Sequence, residues 1–101
     1  MLDKMKQLYQ MQKTAKEVQK KLKDTEIEAK NSDGTVTVIY NGEPKLTDVI
    51  IDDSMMSANK KDELVREILK LSNEAHSKAA GLAATEMKDV MKDMGLNIPG
   101  L

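Results

Sequence analysis

From Asn59 to Met94 the sequence runs without a proline and with one glycine, Gly81, while apolar residues return every three or four positions. Leu64, Ile68, Leu71, Ala75, Ala79 and Leu82 form the stripe, and Met87, Val90, Met91 and Met94 carry it on. That period predicts a helix over 59–94, opened by the "NKKDE" segment, with Asn59 as cap and acids in the first turn, and stopped by Gly95. Such a helix is about 54 Å long at ~1.5 Å per residue. A chain of 101 residues is one domain by size. A compact domain of that length has a radius of gyration of about 13 Å and is about 34 Å across. The helix does not fit inside it, so its far end projects into solvent or packs on another subunit.

Residues 1–24 predict a second long helix. Leu8, Met11, Ala15, Val18 and Leu22 step by threes and fours along a heptad seam, with no glycine or proline between them. At about 36 Å this helix barely fits either. Between the helices, 25–52 reads as a three-stranded antiparallel sheet. "TEIEAK" is a short edge strand, and "NSDG" (31–34) is a turn cluster. "TVTVIY" is a β-branched strand, followed by an Asn41-Gly42 signal for a type I′ hairpin turn. "KLTDVIID" (45–52) returns, with Pro44 at the turn's exit because it has no amide to give a ladder. The consecutive Val49, Ile50 and Ile51 show apolar groups on both faces, which calls for two covers: a helix of the chain and a second copy. Met55 and Met56 are expected to anchor the connection from 53 to 57, and "LNIPGL" is expected to be an irregular tail. The expected fold is α+β: a long N-terminal helix, a three-stranded antiparallel sheet and a long C-terminal helix, in a homodimer with protruding helical arms. The core material agrees with long helices and a small interior, since the chain has eight Met, no Phe and no Trp.

Charge is where the sequence speaks about function. The formal net charge is −1, yet residues 1–24 hold seven lysines against Asp3, Glu17 and Asp24. Residues 25–57 hold seven acids against Lys30 and Lys45, and residues 58–101 are balanced. With Leu8, Ala15 and Leu22 at heptad position a, Lys6, Lys13 and Lys20 fall at f, opposite the seam, and Lys16 and Lys23 at b beside them. The five ammonium groups make one stripe about 25 Å long. Lys16 and Lys20 are a like-charge pair at i, i+4, which an isolated helix does not favour. One reading is contact with a regular row of phosphates, which flexible lysines match without reading sequence. The other is an ordinary solvated face. Tyr9, also at b, either packs or touches a nucleic-acid backbone.

Other chemistry finds little support. There are no cysteines, so thiolate and disulfide chemistry are excluded. His76 is the single histidine and lacks zinc-ligand partners. Asp48, Asp52 and Asp53 read as a strand end and acidic turn, too few converging oxygens for a hard cation. No Gly-x-Ser-x-Gly and no phosphate-cradling glycine loop is present. Two tyrosines are too few for a single-strand stacking platform. No enzyme, cofactor or metal is expected. No apolar run reaches the ~18 residues of a bilayer span, and no signal peptide is visible, so the expectation is a soluble intracellular protein. Gly81, within "AAGLAA", is either a close helix crossing or a tolerated glycine.

The order helix, short strand, "TVTVIYNGEPKLTDVIIDDSMM", then a long helix with "LSNEAHSKA", resembles the YbaB/EbfC family of bacterial nucleoid-associated proteins. The resemblance covers nearly the whole chain. It rests on the Met/Gln/Lys-rich "KQLYQMQKTAKEVQKKL", on "NGE" with "VIIDDSMM", on Asn73, Glu74, Ala75 and Lys78, and on the "GLNIPGL" ending. Ala29 departs from it, where members often carry glycine. The resemblance implies a small homodimer with tweezer-like helical arms, no enzymatic activity, and binding to double-stranded DNA in the nucleoid of the cytoplasm. On that reading Lys6, Lys13, Lys16, Lys20 and Lys23 contact DNA as first-helix residues. Protein partners in DNA metabolism belong to the same expectation. The competing reading is a chaperone-like or adaptor protein that holds protein partners in helical arms tipped with Met.

Overall fold

The computed structural model describes residues 2–93 and residue 95. Helix α1 spans Leu2–Asp24, strands β1, β2 and β3 span Glu26–Lys30, Val36–Asn41 and Leu46–Ile51, and helix α2 spans Lys61–Asp93. Two short 3-10 turns, Asp53–Met55 and Ala58–Lys60, join β3 to α2. The strands make one antiparallel sheet in the order β1-β2-β3. This is the expected α+β arrangement of two long helices around a small sheet. The expected tail 96–101 and Met94 lie outside the described residues.

Alternation along β2 decides which face of the sheet is covered. Val36 and Val38 are fully buried, and with Ala29, Met55, Leu71 and Ala75 they form the core. Tyr40, Val49, Ile51, Leu64 and Ile68 close around it. Thus α2 lays the first half of its stripe on one face of the sheet. The opposite face carries Glu26, Glu28, Lys30, Thr37, Ile39, Asp48 and Ile50 by register, and Ile50 is 52% exposed. The apolar run 49–51 therefore has one cover within the chain, on the Val49 and Ile51 side. A bulge at Ile39/Tyr40 shifts the register, and the Thr47 hydroxyl donates to the Ile39 carbonyl there (3.1 Å).

The first turn follows its sequence. Gly34 takes φ 75, and the Asn31 side chain accepts the Val36 amide (3.0 Å) and donates to Thr35 Oγ1 (2.8 Å). The Asn41-Gly42 turn does not form as expected. Neither residue has a positive φ, so there is no type I′ turn. Instead the Asn41 amide donates to the Lys45 carbonyl (2.9 Å), and Asn41 Oδ1 accepts the amides of Glu43 and Lys45. The result is a wider loop held by one asparagine side chain. Gly42 serves a different contact. Its amide donates to the Leu22 carbonyl at the end of α1 (2.7 Å), and a Cβ there would lie 2.8 Å from that oxygen. The glycine lets the hairpin touch the helix backbone.

Between β3 and α2, Met55 is buried, whereas Met56 is 66% exposed, so one methionine of the expected pair is an anchor. Asn59 does not cap the long helix. It sits in the second 3-10 turn and its Oδ1 accepts the Ser57 hydroxyl (2.6 Å), while α2 begins at Lys61 with Asp62 and Glu63 in the first turn. Gly95 has φ 73 and its amide donates to the Lys92 carbonyl (3.0 Å), the left-handed stop expected after the helix.

The molecule is as elongated as its helix lengths require. The chain measures 67 × 25 × 16 Å with a radius of gyration of 18.9 Å, against about 13 Å for a compact domain of this size. No described helix is long and apolar enough to cross a membrane.

Candidate nucleic-acid interface

The heptad seam of α1 divides into two parts. Val18 and Leu22 are buried, and near them Lys21 Nζ pairs with Glu86 Oε1 of α2 (2.9 Å). Toward the N-terminus the seam is open: Met11 is 41% and Leu8 60% exposed, and Ala15 is exposed too. Among the described residues only the C-terminal end of α1 is docked, and the rest is an arm.

The five candidate lysines all lie on that helix. Lys6, Lys13, Lys16, Lys20 and Lys23 are exposed. At about 100° per residue, each lies more than about 100° around the helix from the line through Val18 and Leu22. Docking α1 through this seam therefore leaves the stripe outward. Among the described residues the ion pairs use Lys21, Lys30, Lys45 and Lys78, and none of the five. The other two lysines of α1 behave differently: Lys21 is committed to Glu86, and Lys4 lies on the seam side. Spacing already leaves Lys21 outside the stripe, at heptad position g, while its partner Glu86 comes from a helix far away in the sequence. Tyr9 is 68% exposed, so of its two expectations packing within the chain is not the one realised.

The remaining candidates serve the scaffold. Asp52 caps the turn at 53–55: its carboxylate accepts the hydroxyl and the amide of Ser54, and these hydrogen bonds hold its carboxyl below the usual aspartate range. Asp48 Oδ1 accepts the Val49 amide (2.8 Å). His76 stands edge-on to Tyr40, ring centroids 6.0 Å apart. A Cβ on Gly81 meets nothing within 4 Å, so among the described residues no helix crosses there. Among the described residues no three His, Cys, Asp or Glu side chains converge as metal ligands.

The model of the YbaB/EbfC DNA-binding family matches residues 1–94. A nucleoid-associated protein of Granulibacter bethesdensis is 37% identical over 95 residues, covering 94% of this chain and 87% of the relative. One from Afipia carboxidovorans is 34% identical over 97 residues, covering 96% and 90%. The crystal structure of an uncharacterized protein from Helicobacter pylori superposes with a TM-score of 0.60 at 26% identity, covering 86% of this chain and 96% of that one. The family-model match over residues 1–94 places this chain in the YbaB/EbfC DNA-binding family.

Proposed function

We propose that this protein is a nucleoid-associated DNA-binding protein that performs no catalysis and engages duplex DNA as a homodimer, mainly through backbone phosphates. It would act in the cytoplasm, on the nucleoid. The observation that carries the reading is the row of five exposed lysines along α1, on the side opposite its docking seam. Ammonium groups held this way neutralise phosphates and release counterions, which gives affinity with little sequence preference. The acidic middle segment repels DNA from the sheet end, so the charge asymmetry directs the duplex to the arms. Dimerisation is supported by the apolar surface a single chain leaves open: Leu8, Met11, Ile50, Val65 and Leu69 are each more than 40% exposed.

Titration of a labelled 30-bp duplex across a salt series tests the proposal. If a dimer engages about six phosphates, log affinity falls with log salt at a slope of roughly −5. Absence of binding at low salt, or a flat dependence, contradicts it. A second reading draws on the exposed Met5, Leu8, Met11 and Met87 of the two helices, which suit an adaptable protein-binding arm. Suppression of client aggregation by a protein that leaves DNA unbound would favour that adaptor over the DNA-binding reading.

A further inference from the structure

The stripe on α1 is not made of lysine alone. Followed by heptad position it runs f, b, f, b, f, b through Lys6, Tyr9, Lys13, Lys16, Lys20 and Lys23. The steps are three, four, three, four and three residues, so every member neighbours the next on one helix face. Tyr9 occupies the single place in this row where a lysine is missing. Without it the row has a gap of about 10.5 Å between Lys6 and Lys13; with it, successive members advance by about 4.5–6 Å.

The chain has two aromatic side chains, and they are in opposite situations. Tyr40 is half-buried and edge-on to His76. Tyr9 is 68% exposed. It lies nine residues from Val18, diametrically across the helix at about 100° per residue. A second chain covering the open Leu8–Met11 seam would therefore leave Tyr9 uncovered. Its phenol is a neutral hydrogen-bond donor of about the same reach as a lysine, carried on an apolar ring. Tyrosine hydroxyls are among the groups that contact phosphate oxygens, and such contacts fix register without reading bases.

We infer that Tyr9 is a DNA-backbone contact within the lysine row, its hydroxyl donating to a phosphate oxygen while its ring lies against the adjoining deoxyribose. This rests on the proposed phosphate interface and adds an uncharged member to it. The contact releases no counterion, so it contributes affinity that salt does not remove.

Two measurements on the full chain test it. Tyr9→Phe keeps the ring and loses the donor; its affinity for a 30-bp duplex should fall about threefold to tenfold with the salt slope unchanged. In protein labelled with 3-fluorotyrosine, the ¹⁹F resonance of Tyr9, identified by its loss in Tyr9→Phe, should shift on DNA titration while that of Tyr40 stays. Parental affinity in Tyr9→Phe, or a stationary Tyr9 resonance while a labelled duplex saturates, overturns the inference and leaves the lysine interface standing. Lysine-to-glutamine changes without effect overturn the lysine interface, whereas failure of the parent protein to bind duplex DNA overturns both.

Discussion

At position 42 a methyl group has nowhere to go. The Leu22 carbonyl oxygen and Cα lie 2.8 and 2.9 Å from where it would stand, and both are backbone. Gly42→Ala should therefore lower stability by about 1–3 kcal/mol, read from thermal or urea unfolding, because either the loop or the end of α1 must shift. Gly81→Ala has open space around it within the chain and should raise stability by about 0.5–1 kcal/mol through helix propensity. A loss at Gly81 would instead reveal a second helix crossing there in the dimer. Asp52 gives a pH test with a definite sign. Its folded-state pKa is depressed by Ser54, so its contribution is present above the unfolded aspartate value and is lost as pH falls through the folded one. Asp52→Ala should be less stable than the parent at pH 7, and the difference should shrink as pH drops below about 4. A difference constant from pH 7 to pH 2 contradicts this. The sequence announced a turn at Asn41-Gly42 but misassigned its chemistry. The glycine answers a contact with Leu22, twenty residues away, and no local rule reports such a contact.

Helix α1 shows how far periodicity carries an element. Its seam from Leu8 to Leu22 is legible as one continuous stripe, yet among the described residues only Val18 and Leu22 of that seam are buried. Periodicity tells which face is apolar; what meets that face depends on where α2 and the hairpin arrive. The same distinction separates Met55, tucked under the sheet, from the exposed Met56 beside it. Strand β3 repeats it, since three consecutive apolar residues were visible but the placement of α2 on the Val49 and Ile51 side was not. Local signals suffice where they act alone: Gly34 turns the chain into β2 and Gly95 takes the left-handed conformation beyond α2. The anchor can be tested. Leu22→Ala should cost about 2–4 kcal/mol, since a buried leucine both loses its contacts and leaves space beside Gly42. A cost below about 0.5 kcal/mol, the range of ordinary surface positions, would mean that α1 is not held there.

For the whole molecule, two quantities are readable in the sequence: a helix too long for its domain, and a charge distribution hidden by a net of −1. The first is realised in the 67 Å extent. The second shows in the lysine row outward on α1 and in the exposed Asp48, Glu26 and Glu28 on the face of the sheet away from α2. What the sequence left open is the same thing a single chain leaves open, namely the occupant of the exposed apolar surface. If it is a second copy, light scattering should give about twice the 11.3 kDa chain mass, and a mass of one chain contradicts the dimer. The proposed contact of the outward α1 lysines with DNA phosphates is decided by changing Lys13, Lys16, Lys20 and Lys23 together to Gln and repeating the duplex titration across salt. Weaker binding to every sequence, a shallower salt slope and an unchanged melting transition are expected; an affinity and slope equal to the parent's would contradict the claim.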